Sequence, residues 1–104
     1  MTDLKNNINE VQNYIVIITQ LLITGRHSEA RGILPIMTKA LTEVVMDLFD
    51  IFQKDTEKFS EDINFWSSQL DRITGVIEQE DYFRMIDVLY YETHQNLETY
   101  KEFN

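Results

Sequence analysis

The chain has 104 residues, 18 acidic against 9 basic for a net charge of −9, with 43% hydrophobic residues, three glycines, one proline and no cysteine. A chain of this length suits a single domain over 1–104, burying roughly 65% of the surface its unfolded form exposes. Disulfides and cysteine-bound metal or redox centres are excluded, and the turn residues are too few for a small all-β domain.

In chain order, Leu4, Ile8, Val11, Ile15, Ile18 and Leu22 step by three and four residues, the spacing that lines one face of a helix. Thr2 or Asp3 can cap the start and Gly25 can stop it, so helix 1 is predicted over about 3–24. Its apolar stretch Tyr14–Ile23 is about ten residues long, half of what a spanning helix needs. The acids before it and Gly25-Arg26-His27 after it do not fit a secretory signal. A buried helix in a cytoplasmic protein is the expectation.

Ser28 is placed to cap helix 2, about 28–53, whose apolar set is Ala30, Ile33, Leu34, Met37, Leu41, Val44, Leu48 and Phe52. Pro35 lies inside it and removes a backbone bond to Arg31, which predicts a kink. Lys54-Asp55-Thr56 supplies a new cap for helix 3, about 57–79, with Phe59, Ile63, Trp66, Leu70, Ile73 and Ile77 on one face. Asp81 caps helix 4, about 82–102, through Phe83, Ile86, Leu89 or Tyr90, Thr93, Leu97 and Tyr100.

Connections of about two to five residues make successive helices antiparallel. The predicted fold is all-α, an antiparallel up-down-up-down four-helix bundle; a helical hairpin that dimerises is the other arrangement. A faint repeat at an offset of 55 residues aligns Leu21-Leu22 with Val76-Ile77 and Ile33-Leu34 with Val88-Leu89.

Chemistry is sparse. No Glu-x-x-His pair marks a metal-binding bundle, His27 falls in a turn, and His94 reads as a surface residue. Close acidic pairs such as Asp47/Asp50, Glu78/Asp81 and Asp87/Glu92 read as solvated faces. The isolated glycines form no phosphate loop, and neither histidine sits in a motif that activates a serine. No catalytic, cofactor or metal site is expected. Scattered Lys and Arg disfavour nucleic acid, and the net charge disfavours anionic membranes.

Charge is unevenly placed. Residues 1–24 carry −1 and 25–54 carry 0, against −5 for 55–80 and −3 for 81–104. The second half is therefore expected to present an electronegative face.

Surplus apolar surface is the clearest functional sign. Neighbours on a helix point about 100° apart, so Tyr14-Ile15-Val16-Ile17-Ile18 and the doublets Phe65-Trp66, Tyr82-Phe83 and Tyr90-Tyr91 exceed what one core takes. Val16, Ile17, Trp66, Tyr82, Tyr90 and Tyr91 are the candidate residues of a contact with another chain.

Glu80-Asp81-Tyr82, Asp87-Val88-Leu89-Tyr90-Tyr91-Glu92 and Leu97 resemble a small uncharacterised helical family of low-GC Gram-positive bacteria. That resemblance implies four helices with an acidic turn before the last. Gly25 to Leu48 is also similar to flagellin export chaperones, which implies an antiparallel bundle that wraps a disordered helical tail. The expected function is a noncatalytic adaptor or chaperone-like module that binds an unidentified protein partner through apolar helix surface. A homodimeric structural bundle is the alternative, and a carboxylate-metal bundle enzyme the third reading.

Overall fold

The computed structural model describes residues 3–103, nearly all of them helical or in turns, with no strand among the described residues. Helix α1 spans Leu4–Ile23, α2 His27–Phe52 and α3 Ser60–Glu78. The fourth helical run, α4, is α-helical over Tyr82–Ile86, widens to a π-helix over Asp87–His94 and returns to α over Gln95–Glu98. The molecule measures 43 × 24 × 18 Å, and its long dimension matches the roughly 39 Å expected of a helix as long as α2. No described helix is long and apolar enough to cross a membrane.

Two of the expected caps form. The Asp3 carboxylate accepts from the Asn6 N–H, and the Asp81 carboxylate accepts from the Arg84 N–H. Thr2, the other candidate, lies outside the described residues. Ser28 does not cap α2. The helix starts one residue earlier, because the Arg26 N–H closes back on the Leu21 carbonyl at 2.8 Å while its own carbonyl already accepts from Ala30. Asp55 accepts from the Lys58 N–H and so caps a turn over 56–59, which delays α3 to Ser60.

The α1–α2 and α3–α4 corners share one closure. Gly25 N–H bonds to Leu22 and Arg26 N–H to Leu21, while Glu80 N–H bonds to Ile77 and Asp81 N–H to Val76. These are the positions that the 55-residue offset aligns. The left-handed residue is Gly25 at φ 78° in one corner and Glu80 at φ 52° in the other, and only the glycine escapes the penalty of a Cβ there.

One contiguous core takes Ile8, Val11, Ile15, Ile18 and Leu22 from α1 and Ala30, Leu34, Met37, Leu41, Val44, Leu48 and Phe52 from α2. The expected face of α3 is turned by one position. Trp66 and Ile73 are buried with Gln69 and Val76, whereas Leu70 and Ile77 are only half-buried. On α4, Met85, Leu89, Thr93 and Leu97 form the inward row, and Phe83 is exposed. In an α-helix, steps of four residues drift by about 40° each. The wider π turn, closed by bonds five residues apart, cancels that drift and keeps Leu89 and Thr93 in line.

Phe52, Phe59, Trp66, Tyr100 and Phe103 close one end of the molecule, with Phe52 centred 5.0 Å from Phe59 and 5.8 Å from Tyr100. The Tyr100 hydroxyl donates to Asp62 and accepts from the Trp66 indole N–H at 3.3 Å. Burial, and next the Asp62 carboxylate, push the Tyr100 phenol up to about 12. Its neutral form is favoured in the folded chain, so this contribution to stability is intact below pH ~10 and is lost as pH rises towards 12. Urea unfolding at a series of alkaline pH values will show the fall, and Tyr100→Phe will flatten it.

A candidate protein-binding face between α1 and α4

Residues of α1 and α4, with the corners beside them, enclose two adjoining hollows. The larger, about 480 Å³, is lined by Leu22, Ile23 and His27 on one side and by Tyr82, Phe83 and Ile86 on the other, with Glu80 and Asp81 at its end. The smaller, about 270 Å³, is lined by Val16, Thr19, Gln20, Tyr90 and Tyr91, and it shares Ile23 and Ile86 with the first. Together they make one groove. Its lips carry Ile23 at 69% exposure, Phe83 at 85% and Tyr91 at 59%, large apolar side chains that the core leaves in water.

Local structure explains the arrangement. Ile23 comes after Leu22 at the end of α1, about 100° away from the buried row. Phe83 lies in the first turn of α4, two residues before Met85 begins the inward row. Tyr82 is half-buried because its ring stacks on His27 at 4.0 Å, tying the start of α4 to the α1–α2 corner. Tyr90 is half-buried against the edge of Tyr91 at 5.1 Å and packs on His94 at 5.4 Å. Loss of hydration in that packing holds the His94 imidazole below its ordinary pKa, against the opposing charge of Glu98.

The π turn that carries Tyr90 and Tyr91 is gripped from both sides by buried glutamines. From α3, the Gln69 amide donates to Thr93 Oγ1 at 3.1 Å, Glu92 Oε1 at 3.2 Å and the Val88 carbonyl at 3.4 Å. Thr93 donates to the same Val88 carbonyl at 2.7 Å. Arg72 then holds Glu92 with two bonds of 2.7 and 3.1 Å. From α1, Gln12 donates to the His94 carbonyl at 3.0 Å and to Glu98 at 2.9 Å. Among the described residues every buried polar side-chain atom has a partner.

Of the six candidate residues, the groove unites Val16, Tyr82, Tyr90 and Tyr91. Ile17 is 42% exposed but lies on the outer side of α1, roughly 200° from Ile15. Trp66 is a correction: it is fully buried, bonded to Tyr100 and packed edge-on against Phe65, so it belongs to the core. Sequence reasoning misses Ile23, Phe83 and Ile86. The helix 4 pattern assigns Phe83 and Ile86 inward, and Ile23 adjoins a core position; the same aromatic-doublet signal that selects Tyr82 applies to Phe83.

A third hollow, of about 660 Å³, lies between α2 and α3 with Met85 of α4 beside them, and is lined by Leu34, Pro35, Ile77 and Met85 among others. Charges of both signs ring it, with Arg31 and Glu80 paired at 3.3 Å, and it contains none of the six candidates. No group of three or more His, Asp or Glu side chains that could hold a metal ion occurs among the described residues.

Comparison with protein-family models, curated proteins and solved structures finds no match. The two family resemblances rest on the residues quoted for them.

Proposed function

We propose that the chain is a noncatalytic protein-interaction module that binds a protein partner along the groove between α1 and α4. The observation that carries this reading is the placing of Ile23, Phe83 and Tyr91, each at least 59% exposed, along two adjoining hollows that share Ile23 and Ile86. Exposed apolar side chains scattered singly need no explanation, whereas a rimmed cluster of them marks a contact surface.

The finer architecture is an antiparallel up-down-up-down bundle. It is supported by the pairing of Gln12, midway along α1, with His94 and Glu98 and of Ile23, at its C-terminal end, with Phe83 and Ile86. The pairing of Gln69 with Val88 and of Asp62 with Tyr100 supports it for α3 and α4. Pro35, with no N–H to offer Arg31, supports a bend in α2.

A photo-crosslinking residue at Phe83, compared with one at the exposed Ile36 on α2, tests the proposal in native extract. The expected result is a discrete adduct with another protein from Phe83 and none from Ile36. Equal labelling from both positions overturns the groove assignment. An adduct with the mass of two copies, together with concentration-dependent light scattering, replaces it with the homodimer.

A further inference from the structure

Resting on the groove assignment just made, we propose that its occupant is a short amphipathic helix with basic residues along one flank only. The dimensions come first. Val16 to Ile23 on α1 spans about 10 Å at 1.5 Å per residue, and Phe83 to Tyr91 on α4 covers a similar length. Two turns of helix present a row of three apolar side chains over that distance, to be received by the two hollows that meet at Ile23 and Ile86.

Charge then sets the flank. On the α1 lip the exposed polar residues are Asn13, Gln20 and Thr24, all uncharged. On the α4 side Glu80, Asp81 and Asp87 stand against Arg84. Glu80 is engaged by Arg31 and one Asp81 oxygen by its own helix; Asp87, one turn beyond Phe83, lines neither hollow but is exposed on the same helix. Residues 81–104 carry −3 and residues 1–24 carry −1, so a cation approaching α4 is favoured over one approaching α1.

The same facts disfavour a second copy as occupant. Each copy brings −9, and a groove two turns long is small against the roughly 800 Å² per partner of a stable dimer.

The test uses the full chain and two synthetic amphipathic helices of about 14 residues, four turns, one of leucine and lysine and one of leucine and glutamate. Binding is followed by calorimetry at about 0.05 M and 0.5 M salt, where screening differs strongly. The expected result is one leucine–lysine helix per chain, bound about tenfold tighter than its counterpart and weakened by salt. Asp87→Asn is expected to weaken it about two- to fivefold.

Phe83→Asp separates shape from bulk charge, since it makes the chain more acidic while removing the apolar lip. A helix seated in the groove binds this variant more weakly; a helix held by net charge alone binds it more tightly, which overturns the proposal. If both peptides bind equally and both are lost in Phe83→Asp, the basic flank is overturned and the groove stands. If neither peptide binds, the helix proposal falls, while the crosslinking comparison at Phe83 and Ile36 still decides the groove independently. A dimer in the absence of peptide that Phe83→Asp dissociates makes the second copy the occupant.

Discussion

Trp66→Ala is expected to lower the free energy of unfolding by about 3–5 kcal/mol, the range for emptying a large buried aromatic site. Against a typical total of about 5–15 kcal/mol, that is a substantial fraction. Two losses combine. The indole is fully buried between Phe65 and Tyr100, so its removal leaves a cavity in a packed interior. The Tyr100 hydroxyl also loses the donor that approaches it at 3.3 Å, while its bond to Asp62 remains. Urea denaturation followed by far-ultraviolet circular dichroism measures the change. Trp66→Phe, which keeps most of the volume, should recover more than half of it. A Trp66 that served as a surface anchor would leave the unfolding midpoint almost unmoved on substitution, so the experiment also tests its reassignment to the core.

The sequence misleads at Trp66 and not at Ile15 because the helices differ in what they must cover. In α1 and α2 the inward row repeats at threes and fours, and ordinary α-helical geometry suffices to bury it; those helices end within a residue of their expected bounds. Asp3, Gly25 and Asp81 act as local chemistry dictates, because a cap or a left-handed corner depends on neighbours in sequence. In α3 and α4 the deciding interactions are non-local. Gln69 reads as a polar surface position until Val88, Glu92 and Thr93 lie against it, and its burial turns the inward face of α3 by one residue. Periodicity counts apolar residues and is blind to a buried amide that satisfies three acceptors on another helix.

The candidate site is half legible in the sequence for the same reason. Excess apolar character identifies Val16, Tyr82, Tyr90 and Tyr91, but which member of each doublet faces water depends on the helix phase. On α4 the phase is set by the π turn. An uninterrupted α-helix through Thr93 would rotate residues 94–98 relative to Met85, and the step of four from Leu89 to Thr93 to Leu97 would not remain on one face. Phe83, before the π turn, is exposed where the simple pattern buries it. The acidity of the second half is a feature of composition, while its meaning at the groove rests on Glu80 and Asp81 lining the hollow that Phe83 borders and on the exposed Asp87 one turn further along α4.

Gln69→Leu is accordingly the second substitution with a large expected effect, a loss of about 1–3 kcal/mol, and one that acts at a distance from its own helix. Leucine fills nearly the same volume, so a cavity is not the cause. The Val88 carbonyl keeps the Thr93 hydroxyl, but Glu92 and Thr93 lose their bond to α3, and Arg72 alone links Glu92 to it from a partly exposed position. A π-helix has poorer intrinsic packing than an α-helix and persists where outside partners take up its displaced groups. Removing one of its two glutamine clamps should loosen residues 87–94 before the rest of the molecule. Hydrogen exchange by mass spectrometry is expected to show amides of that segment speeding up by about tenfold or more, as each 1.4 kcal/mol of local stability requires, with α1 and α2 changed less. Thr93→Val should act on the same bonds, so the two substitutions together cost less than their sum. Because Tyr90 and Tyr91 ride on this turn, Gln69→Leu should also weaken occupancy of the α1–α4 groove, although Gln69 lines neither hollow. Uniform acceleration across all four helices would mean that Gln69 merely contributes to global stability and that the register of the π turn is set elsewhere.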